Sequence, residues 1–296
     1  MGVSRELAAR SEALGRFGAM VRRRREDAGY ASAREFYQSL GGRAFFGCTY
    51  KAYLNVEAGA SHPSPRLVEK LEATLHPYAD GYRVVVLDDG SSDRTWEIIK
   101  DLSRGYPLTF MRHEKNLGLG QTMVDGLEYC ARTALPQDLI VTLDCDDTHE
   151  PKYIPSAVDK IKEGNDVVIL SRYQKGGGEH GLSFVKSILS RGAGLFLKLF
   201  FPIRGVREYS CGYRVFRAAA LKRAFEHFGT KFVRLADQGF VVTPEILIKM
   251  RMLGCRIAEV PFVLEYGQKP GASKNRPWKT IVGYFRLVML YWLRRA

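Results

Sequence analysis

Tyr82-Arg-Val-Val-Val-Leu-Asp88-Asp89-Gly90-Ser91-Ser92-Asp93-Arg94-Thr95 decides how this chain is read. Arg83 to Leu87 is a short apolar run rich in β-branched residues, the pattern of a buried parallel strand. Two carboxylates end it, Gly90 and the serines turn the chain, and Asp93 is placed to cap a helix starting near Thr95. Ligands of open α/β sheets gather at the carboxyl ends of strands, so Asp88, Asp89, Ser91 and Asp93 are substrate-binding candidates. Alone, the same turn is also compatible with a solvated αβ loop.

A second apolar run, Leu139-Ile-Val-Thr-Leu143, ends in Asp144-Cys-Asp146-Asp-Thr148-His149. Carboxylates at i and i+2 leaving a strand turn toward one hard cation, Mn²⁺ or Mg²⁺, which keeps positions open for phosphate oxygens. Around these two ends the chain alternates. A helix is expected over 95–104, a strand over Leu108–Met111, a helix from Asn116-Leu-Gly118-Leu-Gly120 to Ala131, a helix over 155–163 and a strand over 166–170. That alternation means βαβ units and a mostly parallel sheet. The glycines before the 121–131 helix leave backbone N–H groups at its N-terminus, a favourable place for negative charge, so Gly118 is a substrate-binding candidate. Gly176-Gly-Gly178 reads as a lid or as an ordinary exposed loop.

The chain has 296 residues, long enough for two domains, and a net charge of +13. After Glu265 there is no acidic residue, while Lys269, Lys274, Arg276, Lys279, Arg286, Arg294 and Arg295 follow. A basic surface suits nucleic acid, anionic lipid or a pyrophosphate substrate, and its position here favours the latter two. Five cysteines without metal spacing point to reduced thiols in a cytoplasmic protein. Met1-Gly-Val-Ser-Arg-Glu has no signal-peptide core, and no apolar run reaches membrane-spanning length. Thr280–Leu293, with Trp278 and Trp292 beside basic residues, reads either as an interfacial amphipathic helix on an anionic membrane surface or as a helix packed on the sheet.

Residues 1–76 read as a separate helical unit. Helices are expected over Leu7–Ala28, Ala33–Leu40, Thr49–Glu57 and Leu67–Leu75, with Arg22–Arg25 on an exposed side. The order resembles Cro/repressor-type helix-turn-helix modules, which would set Thr49, Tyr50 and Lys51 in a DNA groove. A helical bundle for protein contacts is the alternative.

From residue 82 to about 290 the motifs resemble family 2 glycosyltransferases, closest to the dolichol- or polyprenyl-phosphate mannosyltransferase-like branch. They are Asp88–Thr95, Asn116–Gly120, Asp144-Cys-Asp146, Ser171-Arg172-Tyr173, Gly212-Tyr-Arg214 and Gly271-Ala-Ser-Lys274, in family order. The resemblance implies a GT-A fold over 77–296 and transfer of a sugar from a nucleotide-sugar to polyprenyl phosphate at the cytoplasmic membrane face. It places a divalent ion on Asp144 and Asp146, with Thr148 as a candidate third ligand, and puts Asp89 at the base or ribose. Arg172 and Arg214 become candidate phosphate contacts, since guanidinium forks suit phosphate oxygens. Lys186 and Arg191 lie on the segment near the acceptor phosphate, and Lys274 on a mobile segment by the site. The Gln-x-x-Arg-Trp motif of polysaccharide-making relatives is absent. A lipid phosphate is already nucleophilic, so single displacement with inversion needs no general base.

The chain departs from the family at Gln268, Lys186 and Glu208, and above all upstream. Relatives open with an apolar strand that builds the nucleotide pocket, and here the same region reads as helices. The expectation is a sheet lacking its usual first strand, with very low turnover. The alternative reading is a catalytically weak fusion that binds DNA or protein.

Overall fold

The computed structural model of the protein describes residues 50–56, 65–75, 82–93, 95–103, 108–146, 148–266 and 277–292. A seven-stranded mixed sheet organises them, in the order β3-β2-β1-β4-β7-β5-β8. Its strands are β1 (Tyr50–Val56), β2 (Tyr82–Asp88), β3 (Leu108–Arg112), β4 (Leu139–Asp144), β5 (Val167–Ser171), β7 (Arg214–Arg217) and β8 (Ile257–Pro261). Only β7 runs against its neighbours, β4 and β5; the other pairings are parallel. The strands β6 (Gly178–His180) and β9 (Val263–Glu265) form a separate two-stranded ribbon.

The helices are α1 (Pro65–Leu75), α2 (Thr95–Leu102), α3 (Leu119–Thr133), α4 (Ile154–Lys162), α5 (Phe184–Phe200), α6 (Ala218–Phe228), α7 (Val242–Met252) and α8 (Pro277–Tyr291). Helices on a parallel sheet bury its strands on both faces, which is why Val84–Leu87 and Val167–Leu170 are continuous apolar runs with no exposure. Met123, Leu127 and Cys130 of α3 and Leu221 and Ala224 of α6 join Val85, Ile140 and Phe216 in one core. Burying a side chain such as Leu127 fully contributes roughly 1.5–3 kcal/mol.

Strand β1 corrects the sequence reading. Residues 49–57 were expected to be helical, and the sheet to lack a strand. Instead, β1 lies between β2 and β4, with Leu54 in register with Val86 on one side and Leu143 on the other. The facing edges of β2 and β4 carry backbone N–H and C=O groups that must be paired, and one segment satisfies both. In Tyr50-Lys-Ala-Tyr-Leu-Asn-Val56 the apolar Tyr50, Ala52, Leu54 and Val56 alternate with Lys51, Tyr53 and Asn55, a period of two that suits a strand, and pairing on both edges fixes it. The argument for very low turnover falls with the gap on which it rested.

The division of the chain moves as well, to units 1–48 and 49–296 rather than a break at 76. Helix α1, assigned above to the helical module, belongs to the sheet unit, and its Lys70 Nζ lies 2.5 Å from Glu150 Oε1. Tyr50 and Lys51 are strand backbone and cannot be part of a groove-reading helix. Thr49, the expected helices over 7–28 and 33–40, and Arg22–Arg25 lie outside the described residues.

Candidate active site

Pairing register brings the two acidic strand ends together. Across β1, Asp88 is the partner of Val56 and Asp144 the partner of Asn55, so both stand at the carboxyl end of the sheet's centre. One strand separates them, a spacing of roughly 10 Å.

At the end of β2, Asp88 is fully buried. Its Oδ1 accepts the Ser91 N–H at 3.0 Å and closes the turn, while Oδ2 lies 3.2 Å from Arg112 Nε. Gly90 takes φ 69°, and a Cβ there would meet the Lys115 carbonyl carbon at 2.6 Å, so this turn accepts only glycine. Asp89 is buried too, and its carboxylate is committed to protein groups. Oδ1 accepts from Leu117 N–H at 2.8 Å and faces His113 Nδ1 at 2.7 Å, and Oδ2 accepts from Gly118 N–H at 2.8 Å. Ser91 is buried beside them. Asp93 accepts from the Thr95 N–H and caps α2, as expected.

At the end of β4, the Asp144 side chain is 42% exposed, and its backbone N–H donates to His149 Nδ1 at 3.0 Å. The His149 ring stacks on Tyr213, centroids 4.9 Å apart, and meets Phe262 edge-on. Burial pushes the Tyr213 phenol up, and its O–H donates to the Glu150 carbonyl at 2.9 Å. The acidic turn is thus fixed from both ends. Asp146 is buried, and its Oδ1 accepts the Thr148 hydroxyl at 2.5 Å. Thr148 therefore orients Asp146 in this structure. Among the described residues no three His, Cys, Asp or Glu side chains form a metal cage. The donor set that fits is two carboxylates, with the remaining positions left to substrate and water oxygens, which suits Mn²⁺ or Mg²⁺.

The arginines depart from expectation. Arg172, at the end of β5, forms a fork with buried Glu208, Nε to Oε2 at 2.8 Å and Nη2 to Oε1 at 3.0 Å. Burial opposes both charges, yet each outweighs it for the other, so Glu208 is held below the ordinary carboxylate range and Arg172 is raised. Arg214 is fully buried and donates to the Thr243 carbonyl at 2.7 Å and the Tyr209 carbonyl at 2.8 Å. Burial lowers it to about 10. Both guanidiniums are thus engaged with protein acceptors in this structure. Exposed cations stand instead on α5. Lys186 lies over the Tyr266 ring at 5.0 Å and Arg191 over Tyr173 at 5.8 Å, and Tyr173 in turn shares a hydrogen bond with Ser190 at 2.9 Å. Lys274 lies outside the described residues.

Comparison with known proteins was decided by one match. The description "Glycosyl transferase family 2" fits residues 64–229, more than half of the chain. The chain belongs to glycosyl transferase family 2. A dolichol-phosphate mannosyltransferase of Pyrococcus furiosus is 32% identical over 206 residues, 69% of this chain and 53% of that enzyme. A polyprenol monophosphomannose synthase of Mycolicibacterium smegmatis is 26% identical over 221 residues, 68% of this chain and 82% of that one. The chain therefore spans about half the length of the first relative and about four-fifths of the second. Glucosyl-3-phosphoglycerate synthase from Mycobacterium tuberculosis, solved with Mn²⁺ and uridine-diphosphate, has a TM-score of 0.51 and 20% identity. That likeness covers 88% of this chain and 82% of that one, and it is a likeness of fold, GT-A.

Sequence reasoning missed three residues here, His113, Asp125 and His149, and the pairing role of Glu208. His149 had a local signal, since it follows the acidic turn directly. Glu208 was noticed only as a departure from the family pattern. His113 and Asp125 gave no signal, because their partners lie on other elements.

Proposed function

We propose that the chain transfers a sugar from a nucleotide-sugar donor to a polyprenyl phosphate, by single displacement with inversion. The carrying observation is the register that sets Asp88 and Asp144 on either side of β1 at the carboxyl end of the sheet. Family membership and the two mannosyltransferase relatives support the substrate classes.

Asp144 and Asp146 are the residues that would hold Mn²⁺ or Mg²⁺. When bound, such an ion supplies Lewis-acid neutralisation of the leaving diphosphate. The chain's own contribution is placement. Thr148 fixes the Asp146 rotamer, and His149, stacked on Tyr213, fixes the backbone of Asp144. The turn at Asp88–Ser91 and the loop held by Asp89 bound the donor on the β2 side.

The acceptor phosphate is assigned to Lys186 and Arg191 on α5. Beyond them α5 and α8 pack through Phe196–Phe285 and Phe200–Trp292 while leaving Leu195, Leu199, Trp278 and Met289 largely exposed. An exposed apolar ridge beside cations suits a polyprenyl chain lying at a membrane surface. Among the described residues no helix is long and apolar enough to cross a membrane.

Calorimetry with a panel of nucleotide-sugars and Mn²⁺, followed by transfer to a short polyprenyl phosphate, tests the proposal. The expected result is Mn²⁺-dependent binding of one donor and a product of inverted anomeric configuration by NMR. No donor binding at any Mn²⁺ concentration, or a retained configuration, would overturn it.

A further inference from the structure

His113 stands between two carboxylates on different elements. Its Nδ1 lies 2.7 Å from Asp89 Oδ1, at the end of β2, and its Nε2 lies 3.0 Å from Asp125 Oδ2, on α3. Each ring nitrogen is within hydrogen-bond distance of a carboxylate oxygen, so the imidazole cross-links strand and helix. Asp125 is itself steadied by Gln121 Nε2 at 2.8 Å, and the Asp88 carbonyl accepts the His113 N–H at 2.9 Å.

The purpose of this chain of contacts lies at its other end. Asp89 accepts the N–H groups of Leu117 and Gly118, the residues that lead into α3. Gly118 has φ 90°, a conformation few other residues adopt, so the loop has to be held against alternatives. A carboxylate free to rotate would hold only one of these N–H groups well. His113 removes that freedom by occupying one side of Oδ1.

We propose that His113 and Asp125 are positioning residues for the donor site, fixing the Asp89 rotamer and through it the Leu117–Gly118 turn. Asp89 then acts on the donor through the loop it holds. This rests on the donor-site reading above, and its test includes a measurement that needs no donor.

Three variants, His113→Phe, Asp125→Asn and the double variant, are compared with the intact chain by Mn²⁺-dependent binding of uridine and guanosine diphosphates, sugar-transfer kinetics and amide hydrogen exchange. In His113→Phe, the better-bound nucleotide is expected to weaken by about tenfold or more, the worth of one hydrogen bond to a charged group. Donor KM should rise while kcat at saturating donor stays within a few-fold of the parent. Amides of 114–120 should exchange faster, with those of 139–144 unchanged. Asp125→Asn keeps an acceptor and should give a smaller change of the same kind, and the double variant should add little to His113→Phe. In a fourth variant, His113→Gly, added imidazole should restore part of the lost affinity. Unchanged exchange at 114–120 in both single variants overturns the proposal, as does additive loss in the double variant. If the parent chain binds neither nucleotide, the donor-site reading fails, and exchange at 114–120 still decides the role of His113.

Discussion

Arg172 and Glu208 each outweigh the burial of the other, and the pH dependence of the pair can be worked out by sign. Glu208 has a folded pKa lowered below the ordinary glutamate value of 4.5, so its stabilisation is fully present above pH 4.5 and is lost as pH falls through the lowered value. In Arg172→Met burial is opposed only by the hydrogen bonds from Ser210 and Cys211, so the Glu208 pKa should rise from its lowered value and the loss of stability should be greater at pH 7 than at pH 4. At neutral pH the variant should be less stable by about 3–5 kcal/mol, the usual cost of leaving one partner of a buried pair. Urea unfolding at pH 4 and pH 7 checks it, and equal losses at both would refute the assignment of charge to this pair. Metal-dependent binding gives a second test at this scale. Asp146→Ala should abolish Mn²⁺-dependent nucleoside diphosphate binding with the fold intact by circular dichroism. Thr148→Val, which removes only the hydroxyl on Asp146 Oδ1, should weaken it by roughly 10–100-fold.

Helix α3 is placed by close contact as well as by its apolar face. A Cβ on Gly120 would come within 2.0 Å of the Ala236 carbonyl oxygen, so Gly120→Ala must push α3 away from the 236–241 segment. A loss of about 2–3 kcal/mol is expected, read as a shifted urea midpoint. Helix α8 is tied down differently, by the Tyr291 hydroxyl donating to buried Glu245, which also accepts the Arg234 and Leu235 N–H groups at 2.9 Å. Tyr291→Phe removes only that tie, and limited proteolysis should then cut within α8 faster than in the parent chain. The same scale shows what was legible in the sequence. Strands β2, β4 and β5 were readable because burial on both faces demands unbroken apolar runs, and their acidic ends followed from where such sheets bind ligands. β1 was misread because the resemblance to a helical module was preferred over the alternation of Tyr50, Ala52, Leu54 and Val56, and the two strands that pair with it come later in the chain. The glycines of Asn116–Gly120 were read as opening N–H groups to an anion. In the structure Gly118 gives its N–H to the chain's own Asp89 carboxylate, and Gly120 makes room for a neighbouring backbone.

For the molecule as a whole, the exposed apolar ridge of α5 and α8 and the basic residues beside it point one way. Flotation with anionic liposomes should bring the chain up at low salt and release it as salt rises, each Lys or Arg near the surface adding about 1 kcal/mol. Replacing Leu195 and Leu199 together by Asp should reduce flotation without changing nucleotide binding. Equal flotation on neutral liposomes would count against the electrostatic part, and none at any salt against attachment itself. Site legibility was uneven at this scale too. The carboxylates stood out in the sequence because they sit at strand ends, whereas nothing local announces that Arg172 pairs with Glu208 or that Arg214 donates to the Thr243 and Tyr209 carbonyls.

The place of β1 between β2 and β4 also has a meaning in time. On the ribosome β1 emerges first, and β2 can cover one of its edges soon afterwards. The other edge waits for β4, which begins only after the intervening residues 57–138 have been made. At about 5–20 residues per second, that is a delay of several seconds. Throughout it the nascent chain shows an open strand edge of the kind that recruits other chains. Stalled chains ending before residue 139 should therefore be the ones that aggregate or call on chaperones, and chains long enough to expose β4 should not.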